Sequence, residues 1–284
     1  MSRIAILIRE NIQDYRITRM REEIKNFNNI EIVEVSKKEI FPFEESKLLD
    51  YDTYYFFVGT TVSFDTHLFA KFLYENGKNV INRIHIKEAI MYKAMFYNLL
   101  YKYVNIPEFV KIYSIDNIEY VIKKIGFPMV IKHQLIHRGE FVYKINNEEE
   151  LYNFLKDYLI NKRGNLRFLI FQKFIPYEKD IRVIFINEPF GGMQRINEKT
   201  FKGNISQGAY GKPYELDEEL KEIGYKIMEK ADLQIFAYDV LIKDNEYYLV
   251  DIHNIFQYEG FEKYVGKNVT RRILEYLNEV SNKG

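Results

Sequence analysis

The stretch FAYDVLIKDNEYYLVDIHN, Phe236–Asn254, reads as two apolar strands around a polar turn, with Asp239 and Asp251 set where packing residues belong. Asp244-Asn245-Glu246 is turn chemistry. Taking all three as the loop pairs Lys243 with Tyr247, faces Leu241 with Leu249 and places Asp239 opposite Asp251. His253, two residues on, then shares the face of Asp251. A two-residue loop shifts the pairing by one and separates the acids. Opposed like charges cost a sheet about 0.2–1 kcal/mol. A bound cation reverses that sign. Carboxylate oxygens suit Mg2+, which takes one or two protein carboxylates together with substrate phosphates. The competing reading is an edge hairpin whose acids are simply solvated.

Cations able to meet a phosphate lie upstream. Lys93 shares a helix face with Ala89, Phe96 and Leu100, and Lys132 ends the apolar strand FPMVIK. A lysine at a buried strand end can meet a phosphate as a point charge; a lysine snorkelling to water is the plainer alternative. Gly139 follows in HQLIHRGEFV, where a phosphate loop built on backbone amides would carry more glycines. His133 and His137 fall in a strand-and-loop segment, so the helical spacing of zinc ligands does not apply. FQKFIPYEKDIRV is a strand running into a Pro-containing connector. Backbone groups of Gln172, Lys173, Phe174 and Ile175 could meet an adenine edge, with Asp180 and Arg182 on the next strand. In MQRINEKTFKGNISQGAYG, Arg195, Lys202 and Asn204 could gather round an anion, the arginine supplying a rigid fork. The alternative is a long loop with solvated charges, although long loops in compact domains are often functional.

These groups need a scaffold. Strands at Ile4–Ile8, Ile30–Val35, Tyr51–Val58 and Asn79–Ile81 alternate with helical patterns at Asp14–Phe27 and Thr66–Tyr74, which predicts an α/β unit with a mostly parallel sheet. A long helix is expected over Ile86–Tyr103, stopping before Ile106-Pro107. Strands follow at Phe109–Ile112, Phe127–His133, Phe141–Ile145 and Leu166–Phe174, with helices at Ile115–Ile125 and, capped by Asn146-Asn147, Glu148–Asn161. Strands at Ile181–Ile186 and Gly191–Arg195 lead to a polar loop through Gly211, a helix over Asp217–Ala231, the acid hairpin, and a last helix capped by Asn268.

Composition bounds the function. The 284 residues are 47% hydrophobic and 29% charged, as in a folded soluble protein. Lys+Arg and Asp+Glu both number 41, so bulk charge gives no drive toward nucleic acid. Without cysteine there is no disulfide, thiolate nucleophile or Cys-ligated zinc. No apolar run nears the ~20 residues that cross a bilayer. MSRIAILIRENIQDYR reads as a first strand, not a signal peptide, so a cytoplasmic location is expected. The 24 Tyr and 22 Phe suit a core better than an interaction scaffold.

In this order the residues resemble the ATP-grasp superfamily, in the RimK-like branch of the ribosomal-protein glutamate ligase and related amino-acid-adding ligases. RIAILIRE, VGTTVSF and the run from Asn82 to Lys93 resemble that branch's N-terminal domain and linker. Lys93, Leu99-Leu100, Pro107 and FPMVIK follow its two nucleotide lysines, FQKFI its hinge, DIRV its Asp-Ile-Arg signature and QR…FKGN its Arg strand and Asn loop. The spacing of Asp239 and Asp251 agrees with its metal pair, and EGFEKYVGKNV with its ending. The resemblance implies an α/β ATP-grasp fold: an N-terminal parallel α/β domain over 1–88, then two α+β lobes, 89–174 and 175–284, that clamp a nucleotide.

The resemblance also implies an ATP-dependent carboxylate–amine ligase working through an acyl phosphate, with Mg2+ or, as an alternative, Mn2+. Its substrates would be an amino acid and a small-molecule, peptide or protein acceptor, with no nucleic-acid or membrane partner; self-association into a homo-oligomer stays open. By the same likeness, Lys93, Lys132, Gly139, Asp180 and the hinge residues Gln172, Lys173, Phe174 and Ile175 bind nucleotide. Asp239, Asp251 and His253 hold metal, and Arg182, Arg195, Lys202 and Asn204 serve catalysis. Four features depart from the pattern: Asp251-Ile252-His253 stands for Glu-aliphatic-Asn, Lys173 for the hinge carboxylate, Phe57 for an Arg before Gly59, and only Gly139 remains of a glycine-rich loop. These departures carry the rival reading, a catalytically impaired homologue that binds nucleotide or another ligand in a regulatory role.

Overall fold

Ile4–Arg9 (β1) is IAILIR, buried from Ile4 to Ile8. A strand apolar on both faces must be covered on both, as in a parallel sheet flanked by helices. β1 sits inside a parallel sheet ordered β2-β1-β3-β4, with Ile30–Val35 (β2), Thr53–Phe56 (β3) and Asn79–Ile81 (β4). Tyr15–Glu23 (α1), started by the Asp14 carboxylate accepting from the Arg16 amide, covers the face of Ile4, Ile6 and Ile8. Thr66–Glu75 (α2) covers Ala5 and Leu7. The computed structural model describes residues 2–35, 47–59, 65–87, 92–136, 140–198, 203 and 208–281. Thr60–Phe64 of the VGTTVSF motif, Ala89, His137, Gly139, Lys202 and Asn204 therefore lie outside the described residues.

The helix expected over Ile86–Tyr103 is two pieces. One turn, Ile84–Lys87, precedes the described start of Lys93–Leu100 (α3), whose first residue is the lysine of interest. Phe109–Val110 (β5), Met129–His133 (β6), Val142–Ile145 (β7) and Leu169–Lys173 (β8) form an antiparallel sheet ordered β5-β8-β6-β7. Met129, Ile131, Leu169 and Phe171 pack on Ile118–Ile125 (α4) and Glu148–Lys156 (α5). The alternate residues Lys132, Ile170 and Gln172 face the other way. Asn147 caps α5 by accepting from the Glu150 amide, and Glu150 reaches back to the Asn146 amide. Leu166–Phe168 is a 3-10 turn ahead of β8 rather than part of the strand.

Lys179–Ile186 (β9), Pro189–Ile196 (β10), Tyr210–Tyr214 (β11), Ile235–Lys243 (β12) and Glu246–His253 (β13) make an antiparallel sheet ordered β11-β10-β9-β12-β13. β11 replaces the last part of the expected polar loop. Its residues are mostly exposed and include Pro213, which an edge strand tolerates, so it shows no apolar alternation. One face of this sheet, with Ile181, Val183, Phe185, Phe236 and Tyr238, packs on Glu218–Ala231 (α6). The other face begins apolar at Ile184, Ile186, Ile235 and Ala237, buried with β1, Glu259–Val265 (α7) and Val269–Ser281 (α8). Asn268 caps α8 as expected, accepting from the Arg271 amide. Further along β9 and β12 the same face turns charged, at Arg182, Asp180 and Asp239.

Candidate active site

The acid pair forms, but by a different route from the three-residue loop. Asp244 (φ 49°) and Asn245 (φ 60°) are both left-handed and form a two-residue turn, so Lys243 pairs with Glu246. That register alone would separate the acids. The ladder then shifts between Val240↔Leu249 and Asp239↔Asp251, leaving Val250 as an extra residue on β13. The bulge returns Asp251 and His253 to the face of Asp239. A sequence-level count cannot see two changes that cancel.

The bulge also frees the Val250 carbonyl from the ladder. It accepts from Tyr97 Oη at 2.6 Å on α3 and from Lys132 Nζ at 3.0 Å on β6. The second sheet and the linker helix thus meet the third sheet at this residue. Lys93 Nζ, 6% exposed as a residue, lies on both Asp251 oxygens, at 2.6 and 2.5 Å. Burial pulls the Lys132 ammonium down to about 8, with Lys93 adding repulsion and Asp251 opposing the shift. Burial also resists the Asp251 charge, but Lys93, His253 and Lys132 outweigh it and hold that carboxyl below its ordinary range.

Asp239 is opposite Arg182 on β9 and Asp251 on β13, so these residues share one row of the sheet. Arg182 grips both Asp239 oxygens at 2.8 Å. Arg195 Nη1 reaches Asp239 at 3.1 Å and binds Asp180 through Nε and Nη2, at 3.0 and 2.5 Å. Burial works against ionised Asp239, yet Arg182 and Arg195 hold it well below the ordinary carboxylate range. Gly203 packs where a Cβ would overlap the Asp180 carboxylate and stand 3.2 Å from Arg195 Nε. The glycine of FKGN is therefore required by the Asp180–Arg195 pair.

One ligand atom from each of Asp239, Asp251 and His253 can be chosen so that all lie within 4.8 Å of one another. Two carboxylates and an imidazole, clustered and mostly buried, fit a divalent cation. Their present neighbours are the chain's own cations, Lys93 on Asp251 and Arg182 on Asp239.

The hinge differs from expectation. The amides of Lys173 and Phe174 donate to the carbonyls of Glu108 (2.8 Å) and Pro128 (3.3 Å), so they do not stand open to an adenine edge. The Gln172 side-chain amide donates to the Pro107 carbonyl, Lys173 is exposed, Ile175 is buried, and Lys144 covers the Phe174 ring at 4.2 Å. The structure thus brings together Lys93, Lys132, Asp180, Arg182, Arg195, Asp239, Asp251 and His253. Sequence reasoning missed Tyr97, Val250 and Gly203. Tyr97 lies one helical turn past Lys93 and could have been found from that spacing; the bulge left no signal.

The fold superposes on a RimK domain protein ATP-grasp from Sphaerobacter thermophilus with a TM-score of 0.71 and 17% identity, covering 97% of this chain and 99% of that one. The architecture is an ATP-grasp fold of the α/β class. Residues 91–277 match the model for the RimK-like ATP-grasp domain, and the chain belongs to that family. Among its relatives is the alpha-aminoadipate–LysW ligase LysX of Saccharolobus solfataricus, 28% identical over 258 residues, which are 88% of this chain and 92% of that protein. Another is the coenzyme gamma-F420-2:alpha-L-glutamate ligase of Methanococcus maripaludis, 30% identical over 156 residues, covering 55% of this chain and 54% of that protein. No helix among the described residues is long and apolar enough to cross a membrane.

Proposed function

We propose that this protein is an ATP-dependent carboxylate–amine ligase. The observation that carries the reading is the meeting of Lys93 and Lys132 with the acid-bearing ribbon of β12 and β13, where α3 and the second sheet contact the third. An acid oxygen attacks the γ-phosphorus of ATP and ADP leaves, giving an acyl phosphate. An amine then attacks the acyl carbon, phosphate departs with the C–O electron pair, and loss of a proton leaves the amide.

In this reading Lys93 and Lys132 would hold phosphates, and Asp239, Asp251 and His253 a divalent ion, Mg2+ or Mn2+. That ion, when bound, neutralises phosphate charge during transfer. Arg182 and Arg195 would stabilise the transferring phosphoryl group and the acyl phosphate, prearranged in a cleft where water competes poorly. Asp180, expected to bind nucleotide, would instead fix Arg195, whose Nε and Nη2 it holds. Lys202, Asn204 and Gly139 keep the roles their motifs imply, whereas at the hinge adenine would have to use backbone groups other than the Lys173 and Phe174 amides. We take 1–88, 89–174 and 175–284 as the units, a division supported by the three sheets falling one within each range. Since the relatives' names join alpha-aminoadipate or L-glutamate to a second molecule, we take the amine component here to be an acidic amino acid and the acceptor a carboxylate on a protein, peptide or small molecule.

A second reading, a nucleotide-binding protein without turnover, draws on one observation: Lys93 and Arg182 already occupy the carboxylates a metal would need. Two measurements separate the readings. Metal-dependent thermal stabilisation by ATP is expected under both and grows with the logarithm of ligand concentration. Phosphate release on adding glutamate or aminoadipate with acidic peptides is expected only for the ligase. Stabilisation without release from any acid–amine pair supports the second reading, and the lack of both sinks the two together.

A further inference from the structure

We propose that the ion taken by the acid pair is a first-row transition ion in preference to Mg2+, with Mn2+ best suited, because His253 completes its ligand set through Nε2. The inference rests on the ligase reading only in requiring a nucleotide in the cleft. His253 Nε2 stands 3.3 Å from Asp239 Oδ2 and 3.6 Å from Asp251 Oδ2. Arg182 Nη2 approaches the same nitrogen at 3.2 Å. The guanidinium can only donate and the Asp239 carboxylate can only accept, so Nε2 stands between a donor and an acceptor; in the tautomer with the proton on Nδ1 its lone pair faces the cluster, the form a metal ion takes. The imidazole and Asp239 already share one positive group, since Arg182 Nη2 also lies 2.8 Å from Asp239 Oδ2.

The donor set selects the ion. Mg2+ demands near-octahedral oxygen ligands and keeps several waters, because it dehydrates reluctantly. The Asp239, His253 and Asp251 side chains are 7%, 12% and 21% exposed, so water reaches the cluster mainly from the Asp251 side. A nitrogen donor raises affinity along the transition series relative to Mg2+, while two carboxylates and phosphate oxygens keep the site hard enough for Mn2+. Lys93 and Arg182 hold the carboxylates until something draws them off. Triphosphate oxygens are such an attractor, so the metal loads together with nucleotide.

The test uses the full chain with Mn2+ and a non-hydrolysable ATP analogue, read by pulsed electron paramagnetic resonance. The expected result is 14N modulation from a directly bound imidazole, lost in His253→Asn. In parallel, thermal-shift titrations with the analogue give apparent affinities for Mn2+ and Mg2+, and their ratio should fall about tenfold in His253→Asn. The wild-type spectrum needs no variant to fold. Absence of 14N coupling in wild type, or an unchanged ratio in the variant, overturns the inference and leaves the ligase reading standing. Failure of the analogue to bind with either ion overturns both.

Discussion

The Arg182 guanidinium lies across the Asp239 carboxylate, Nε on Oδ1 and Nη2 on Oδ2, both at 2.8 Å, on adjacent strands in direct register. The side chains are 14% and 7% exposed. A paired charge this sheltered is more costly to break than valuable to keep, because removing one partner strands the other. Arg182→Gln should therefore cost about 3 kcal/mol, near the low end for a buried pair, since Arg195 still touches Asp239. Arg182→Gln with Asp239→Asn should cost less than the two singles summed. Urea unfolding of the four proteins checks this, and simple additivity would show the pair to be uncoupled.

Gly203 makes a sterically defined prediction. A methyl group there meets the Asp180 carboxylate and Arg195, and neither can retreat without breaking their ion pair. Gly203→Ala should lower stability by about 1–3 kcal/mol and should slow phosphate release more than a comparable loss of stability elsewhere. The comparison is kinetic, with both proteins assayed at a temperature where each is fully folded. Full activity in the variant would mean that the pair tolerates displacement and that glycine is dispensable there.

Much of the site was legible because its residues break a pattern. An acid in the apolar run FAYDVLI, a lysine ending FPMVIK and the charged start of DIRVIFI all contradict the strands that hold them, and all meet where the second sheet contacts the third. Regular elements were readable from the periodicity that those residues interrupt. The illegible parts are those where two local effects offset each other or where the chain lacks contrast. The two-residue turn and the Val250 bulge cancel in the acid register. Tyr210–Tyr214 is an edge strand with no apolar face, and the hinge amides are taken by carbonyls distant in sequence.

His85 supplies a pH dependence away from the cleft. It is buried against Phe56, ring centroids 5.2 Å apart, and its Nε2 has no hydrogen-bond partner. Burial, helped slightly by His67, holds its imidazole down to about 3. The unfolded chain takes that proton near pH ~6.5 and the folded one only near 3, so between these values the unfolded state binds more protons. Its contribution is fully present above pH ~6.5 and is lost as pH falls toward 3, by at most about 1.4 kcal/mol per unit. Urea midpoints taken from neutral pH down to about 5, above most carboxylate titration, should fall faster for wild type than for His85→Leu. Parallel curves would mean that the ring finds water or a partner when protonated.

The Val250 bulge gives the sharpest prediction, because its two consequences can be separated. Deleting Val250 joins Leu249 to Asp251 directly, and Leu249 already pairs with Val240. Regular alternation then still places Asp251 opposite Asp239, so the deletion preserves the acid register. What disappears is the off-ladder carbonyl that accepts from Tyr97 and Lys132. Two hydrogen bonds, one from an ammonium, are worth about 2–4 kcal/mol together, and Tyr97→Phe, which removes one, should cost about 1 kcal/mol. If the carbonyl holds Lys132 in place for phosphate, the deletion should also raise the concentration of ATP needed for half-maximal thermal stabilisation, while Tyr97→Phe changes it less. A deletion variant of wild-type stability and unchanged ATP response would reduce the bulge to a correction of register that a shorter strand achieves equally well.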